Sequence, residues 1–403
     1  MSKGMSGGPA TLIPARAIIA VIPSARGKEV LSSTADLCGL ADTYNVFDDP
    51  TKYNYTKLTR GGKTLFSVVA DDLYPFNQQF DDCLKERFKT IRKKAKEDGD
   101  VSTMGLNVYT NALYKFIEIA TQFPTLGSKF FHFAEMPGSF ILAANQTQPN
   151  YEFVAQSLKT GLSDMFGWHK DDNYWKRWDF GPDSSGDLTK PEIVEYYCHK
   201  YGGKFDTATS DLGMAKVTYE KEEQEHLLPF ASQLVAMLSV IKIGGNIVMK
   251  MYNTFTDDSL NLITAVANAF EKTYMFKPMS SRARNNERYL IGLSLLNEDS
   301  RSDAIDIVAE AAARLRDVSV AAMDTLALCS KRAVATAGQL DAIVGFVAEH
   351  YHNKKEVMDA VNQVVEIVGH RVVPSKDQFM SVVDNWSAVV GIDEIAKRQK
   401  MNI

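Results

Sequence analysis

The sequence predicts an α/β fold, an open and mostly parallel sheet with helices on both faces, followed by a helical region. Three observations carry this. From about 105 to 297, amphipathic helical segments alternate with short apolar runs of strand length. Pro-Gly and Gly-Gly turn signals separate several of them. After about 300 the strand signal stops and apolar residues recur at helical spacing, as at Ile305, Val308, Ala312, Leu315 and Val318. The chain therefore divides into an N-terminal extension (1–100), an α/β domain (101–299) and a C-terminal helical region (300–403).

The elements follow in order. Residues 1–10 are rich in Gly and Ser, and 11–75 mix short apolar runs with Pro, Gly and Asp clusters without a legible role. Residues 77–96 read as a helix carrying the sharpest charge run: Lys85, Arg87, Lys89, Arg92, Lys93, Lys94 and Lys96, with Glu86 the one acid within 85–96. Such a run is either a solvated face or a contact for a nucleic-acid backbone. An amphipathic segment, Asn111 to Gln122, precedes a strand, Phe130 to Ala134. A Pro-Gly turn, a helix (139–145) and a strand from Tyr151 to Ser157 come next. Pro191 opens a helix that Gly202-Gly203 ends, and Phe205 to Thr209 is a strand. A helix over 221–242 is expected to stop at Gly244-Gly245. It is followed by a buried strand (Asn246 to Met251), a helix (258–272), a strand (273–277) and a last strand, Glu287 to Leu295.

Composition narrows the function classes. The 403 residues are 45% hydrophobic and 24% charged, an ordinary globular balance. A net charge of −5 means that any nucleic-acid surface is local. Four scattered cysteines, none in a C-x-x-C pair, point to reduced thiols in a soluble, intracellular protein. The stretch Leu12 to Val21 is too short and too interrupted to span a bilayer. His350 and His352 lack a nearby Cys or His pair, so no metal site is expected.

Five segments can carry chemistry. Phe130 to Phe140 is a strand running into Glu135-Met136-Pro137-Gly138, where a ligand sits in open α/β sheets and where Glu135 offers an acceptor to a cation. Gly186-Asp187-Leu188 offers an acid that either meets a ligand amino group or caps a turn. Asp211 ends a strand in the same crevice. Lys250 ends a buried strand, where an ammonium needs a partner. Glu287 begins the last strand, after Arg282 and Arg284. Each is explicable as structure alone. Together they set an acid, a lysine and an acid at the edges of consecutive strands.

These segments, with Thr110-Asn111-Ala112-Leu113-Tyr114-Lys115-Phe116-Ile117-Glu118-Ile119 and Phe180 to Asp187, resemble the FtsJ/RrmJ-type RNA 2′-O-ribose methyltransferases over roughly 105–297. The resemblance is nearest to the cap-specific second-nucleotide enzymes and their large-DNA-virus relatives. It implies a Rossmann-like methyltransferase sheet with one antiparallel strand near its end. It implies S-adenosyl-L-methionine as cofactor, and a catalytic tetrad of Lys115, Asp211, Lys250 and Glu287. Glu135, Pro137, Gly138, Ser139 and Phe140 would pass beneath the methionine moiety, Asp187 would meet the adenine, and Asp211 lies beside both. Capped RNA is the implied partner, with Lys89, Arg92, Lys93, Arg282 and Arg284 as backbone contacts and Trp168, Tyr174, Trp175, Trp178 and Phe180 available for stacking. Two departures stand out: Ser139 follows Pro-Gly where the family has Gly or Ala, and no acid follows the second strand at Gln156-Ser157-Leu158, where the family holds the cofactor ribose.

Lys250 is the residue expected to assist removal of the hydroxyl proton. Lys115 would lower its pKa, Asp211 and Glu287 would raise it, and the outcome depends on distances that a sequence does not contain. The competing readings are a catalytically silent scaffold of the same fold, binding RNA or a capping partner, and a nicotinamide-dependent oxidoreductase. The filled tetrad argues against the first. The second lacks G-x-G-x-x-G at the first turn. The apolar face of 300–403 needs a cover, either a partner or the chain's own α/β domain.

Overall fold

A computed structural model describes residues 17–25, 55–60, 63–68, most of 82–93, 110–159, 172–214, 221–254, 256–281, 285–318, 336–368 and 376–390. Nine strands are present among them: β1 (Ile18–Ile22), β2 (Tyr55–Arg60), β3 (Lys63–Val68), β4 (Lys129–Phe133), β5 (Glu152–Ala155), β6 (Phe205–Ser210), β7 (Ile241–Met251), β8 (Phe270–Lys277) and β9 (Arg288–Leu295). The helices are α1 (Ala112–Gln122), α2 (Ser139–Thr147), the single turn α3 (Asp172–Trp175), α4 (Pro191–Tyr201), α5 (Glu222–Val240), α6 (Asp257–Ala269), α7 (Glu298–Asp317), α8 (Ala337–Val368) and α9 (Lys376–Val390). The described positions between 82 and 93 are helical as well.

A seven-stranded sheet in the order β1-β8-β9-β7-β6-β4-β5 is the centre of the molecule. The β4–β5, β4–β6 and β6–β7 pairs are parallel. Strand β9 runs against both β7 and β8, the antiparallel strand that the resemblance implied. A second reversed strand was not anticipated: β1 pairs antiparallel with β8, Ile18 opposite Lys277 and Ile22 opposite Thr273. A five-residue apolar run acquires meaning only through a partner some 250 residues away, which is why it had no legible role. β2 and β3 form a separate two-stranded ladder.

The central strands are buried on both faces. Phe130, Phe131, Phe133, Ala208, Ile247 and Val248 are fully enclosed, which explains why these strands read as unbroken apolar runs. One core cluster gathers α4, α5 and α6 on the sheet, and the other gathers α1 and α2. Helices α7 and α8 complete the first cluster through Val308, Ala311, Ala312 and Leu315, and through Ile343, Phe346, Val347 and Tyr351. Among the described residues of the C-terminal region, these apolar side chains are covered by the chain's own sheet and helices.

The expected glycine stop after 221–242 is corrected. Helix α5 ends at Val240 and β7 begins at once at Ile241, so Gly244 and Gly245 lie within the strand. They occupy an irregularity where the β6–β7 register shifts between Phe205 and Thr207. Gly244 has φ +77°, and a Cβ on Gly245 would come within 2.7 Å of the Lys242 carbonyl oxygen. Likewise α6 stops at Ala269 and β8 already starts at Phe270, three residues before the expected strand, because Phe270 pairs with Leu295.

Candidate active site

The first turn is built from β4 outward. Phe133 ends the strand, Ala134 takes φ 51°, and Gly138 takes φ 109° before α2 begins at Ser139. That left-handed conformation is one glycine adopts freely. Glu135 is buried, and its Oε1 accepts the N–H groups of Phe140 (2.7 Å) and Ile141 (3.2 Å), satisfying two of the orphan donors at the start of α2. Among the described residues its Oε2 has no hydrogen-bond partner, and it lies 3.9 Å from His132 Nδ1. Burial lowers the His132 pKa to about 3, so this imidazole is neutral, held between Thr209 Oγ1 (2.6 Å) and Tyr151 Oη (2.7 Å). Burial, reinforced by Asp211, pushes the Glu135 carboxyl well above the usual range.

A cavity of about 620 Å³ opens at the carboxyl ends of β4, β5, β6 and β7, within the usual size of small-ligand sites. Ala134, Met136 and Pro137 form its floor, and Asp211, Leu212, Gly213 and Lys250 one wall. Gln156, Ser157, Leu158, Gly186, Asp187 and Leu188 form the other. Leu158 and Met214, also in its lining, are 53% and 43% exposed, large apolar groups open to solvent. Gly186 closes against β5: at φ +65°, a Cβ there would lie 1.9 Å from the Ser157 carbonyl oxygen. Gln156 is consumed in holding the two loops, accepting from Ala134 N–H at 3.1 Å and donating to the Gly186 carbonyl.

Two ion pairs converge beside this cavity. Lys250 Nζ donates to Asp211 Oδ1 at 2.9 Å and to the Asp211 carbonyl at 2.8 Å. Lys115, from α1, lies 2.6 and 2.8 Å from the two carboxylate oxygens of Glu287, and Tyr289 Oη donates to Glu287 Oε1 at 3.0 Å. The pairs act on one another: Lys250 is among the cations that stabilise the Glu287 carboxylate, while burial raises the Asp211 pKa and Lys250 and Lys115 oppose that rise. Burial alone would push Glu287 up, but Lys115, Lys250 and Lys277 outweigh it and hold its pKa at about 2. Burial likewise opposes the charged form of Lys250, and Asp211, Tyr252 and Glu287 overcome it, so its pKa lies above the ordinary lysine value. The contest left open by the sequence is decided in favour of the carboxylates.

With that constellation in view, the likeness to known proteins falls on the segment that builds it. Residues 108–295 match the FtsJ-like methyltransferase family. This segment is an FtsJ-like methyltransferase domain. A probable methyltransferase of African swine fever virus is 31% identical over 237 residues, covering 52% of this chain and 54% of that protein. A cap-specific mRNA (nucleoside-2′-O-)-methyltransferase of Autographa californica nuclear polyhedrosis virus is 36% identical over 115 residues, 28% of this chain and 43% of that one. The mouse cap-specific mRNA (nucleoside-2′-O-)-methyltransferase 1 is 33% identical over 129 residues, 30% of this chain and 15% of that one. The chain thus spans about half the length of the first of these relatives, and less of the others.

Within the FtsJ-like domain, the structure brings Lys115, Asp211, Lys250 and Glu287 together. Of the residues expected to hold a cofactor, Pro137, Asp187 and Asp211 line the cavity. Asp187 does so while its Oδ1 accepts from Thr189 N–H (3.0 Å) and Thr189 Oγ1 (2.7 Å), so the turn-cap reading holds as well. Glu135, Ser139 and Phe140 are not among the residues that line this cavity. Glu135 turns behind the loop to cap α2, and Ser139 Oγ meets Thr110 Oγ1 at 2.5 Å. Phe140 packs in the core 4.6 Å from the Phe116 ring. Gly138 contributes its backbone conformation rather than a wall. Leu158, Leu188, Met214 and, from within α5, Pro229 line the cavity without a role having been assigned to them, because single apolar residues in a loop or a helix carry no distinctive pattern. Trp178 is buried, and Tyr174, Trp175 and Phe180 pack against the second core, which is the structural use of these rings. Trp168, Arg92, Arg282 and Arg284 lie outside the described residues. Lys89 and Lys93 are exposed on the basic helix. Among the described residues, no helix is long and apolar enough to cross a membrane.

Proposed function

We propose that this protein methylates a ribose 2′-hydroxyl of RNA, near the 5′ cap of mRNA, using S-adenosyl-L-methionine. The observation that carries the reading is the meeting of Lys115–Glu287 and Lys250–Asp211 beside a cavity at the carboxyl ends of the sheet. The residues present fit the cofactor: apolar Leu158, Leu188 and Met214 suit an adenine, Asp187 an exocyclic amino group, and Asp211 a positive centre. When bound, the cofactor supplies a methyl group on a sulfonium, already a strong electrophile.

The chain's task is then the other reactant. A 2′-hydroxyl is a weak nucleophile until its proton is lost, so alignment and deprotonation are the useful contributions. Lys250 is the group assigned to assist deprotonation. Since its carboxylate neighbours hold it protonated, its effect is electrostatic: an ammonium beside the oxygen lowers the hydroxyl pKa and stabilises the developing alkoxide, and the proton passes to solvent water. Asp211 fixes its direction from both main chain and side chain. Lys115, paired with Glu287, adds a second positive charge to the same site. Lys89 and Lys93, with Arg92, Arg282 and Arg284, hold backbone phosphates.

Support for a cap substrate comes from the names borne by the viral and mouse relatives. The test is incubation with labelled cofactor and a panel of RNAs: uncapped, capped, and capped with the first nucleotide already methylated. Nuclease mapping then locates the label. Label on a ribose of capped RNA only is the expected result. Equal labelling of uncapped RNA would remove the cap from the proposal, and label on a base would remove the reaction.

A further inference from the structure

Three parts of the molecule, distant in sequence, meet on one carboxylate. Glu118 lies one turn after Lys115 on α1 and is buried. Its Oε1 accepts the Met279 N–H at 2.6 Å. Its Oε2 accepts the Ser280 N–H at 3.0 Å, the Ser280 hydroxyl at 2.9 Å and the Trp386 indole N–H at 3.1 Å. Met279 and Ser280 open the connection from β8 to β9, the connection that ends at Glu287. Trp386 belongs to α9, outside the segment that matches the family, and its ring stands edge-on to Tyr114 at 5.8 Å.

A buried carboxylate is tolerated when its lone pairs are satisfied. Here burial pushes the Glu118 pKa up, while four donors, the N–H groups of Ser280 and Met279, Trp386 and the Ser280 hydroxyl, pull it back. None of these donors belongs to α1, so the carboxylate joins elements rather than finishing its own helix. Residues three apart lie on one face of a helix, so Lys115 and Glu118 present the same face of α1 to one connection. Lys277 ties the far end, donating to the Glu287 carbonyl at 2.7 Å and to Ser281 Oγ at 2.9 Å. With both ends tied, the gap that Lys115 spans to reach Glu287 has little freedom.

We propose that Glu118 is a positioning residue for the Lys115–Glu287 pair, and that Trp386 completes its donor set and so makes the C-terminal helix α9 part of the catalytic unit. The catalytic half of this rests on the reading under Proposed function; the positioning half stands on the contacts alone.

The test uses the full chain with Glu118→Gln, which turns an amide NH2 toward donors, and Trp386→Phe, which keeps a ring and removes one donor. Two readouts are taken: amide hydrogen exchange, and kcat with the KM for S-adenosylmethionine. Exchange in peptides covering 278–290 is expected to rise at least tenfold in Glu118→Gln, with 131–140 unchanged. The kcat is expected to fall roughly tenfold to a hundredfold at a KM within about twofold of wild type. The acid limb of kcat moves to higher pH as Glu287 loses its hold on Lys115. Trp386→Phe shifts all readouts in the same sense and less, and it carries the test if Glu118→Gln does not fold. Unchanged exchange in 278–290, or exchange raised evenly across the sheet, overturns the proposal. If the wild-type chain methylates no RNA, the exchange result still decides the positioning role, and the functional reading is what fails.

Discussion

Lys250 reaches both the side chain and the main-chain carbonyl of Asp211, at 2.9 and 2.8 Å, so a single ammonium is fixed by two bonds from one residue. A lysine held this way keeps its charge and its direction. It can act on a neighbouring oxygen without the entropy loss that a free lysine side chain would suffer.

Removing that ammonium should abolish turnover. Lys250→Ala is expected to lower kcat by about 10²- to 10⁴-fold, the range for a positioned proton-handling or oxyanion-stabilising group. Cofactor affinity, measured by calorimetry, should change little, since most of the cavity wall is untouched. Near-normal turnover in a labelled-methyl assay would contradict the role.

Glu287 should contribute stability with a defined pH window. Its folded pKa of about 2 lies below the ordinary 4.5. A depressed carboxyl stabilises the fold above its unfolded value, and that contribution is lost as pH falls from about 4.5 toward about 2. The shift corresponds to about 3 kcal/mol at neutral pH. Denaturant unfolding of Glu287→Gln should show a deficit of that order at pH 7 that shrinks on acidification.

Glu135 has the opposite sign. Its carboxyl is raised by burial, so the unfolded chain ionises first as pH increases and the folded state loses stability above about pH 4.5. Glu135→Gln keeps an acceptor for the Phe140 and Ile141 N–H groups. It should therefore match wild type near pH 4.5 and exceed it at pH 8 in urea unfolding, with cofactor affinity retained. A variant less stable at pH 8 would show that the carboxylate is needed ionised.

Gly186→Ala tests the cavity wall. A methyl group 1.9 Å from a carbonyl oxygen must displace the loop. Loss of cofactor affinity by more than about tenfold is expected, readable in a binding titration, together with a lower Tm.

The basic helix predicts a salt signature. Lys89→Glu with Lys93→Glu should weaken RNA binding evenly across sequences. The slope of log affinity against log salt should drop by about 0.7 for each lost single-strand phosphate contact. An unchanged slope assigns these lysines to solvent.

Much of this site was legible because the chemistry sits at strand ends. Asp211, Lys250 and Glu287 each border an apolar run, where a charge stands out. Lys115 does not: it lies inside an amphipathic helix like any solvated lysine, and only the family resemblance reached it. Glu135 shows the converse case. Its position after β4 is correct, but a turn residue's side chain has two directions, and packing sent this one behind the loop. Strand β1 and the Glu118 junction were invisible because their partners lie some 160 to 270 residues away.

The order of residues by itself determined the alternation of strand and helix, and with it which end of the sheet collects the acids and lysines, since periodicity and turn chemistry act over a few residues. Which side chains touch, and whether Lys250 keeps its proton, only the tertiary structure decided. Coulomb energies and desolvation depend on separations of a few ångströms and on enclosure, and both exist only once the distant segments have packed.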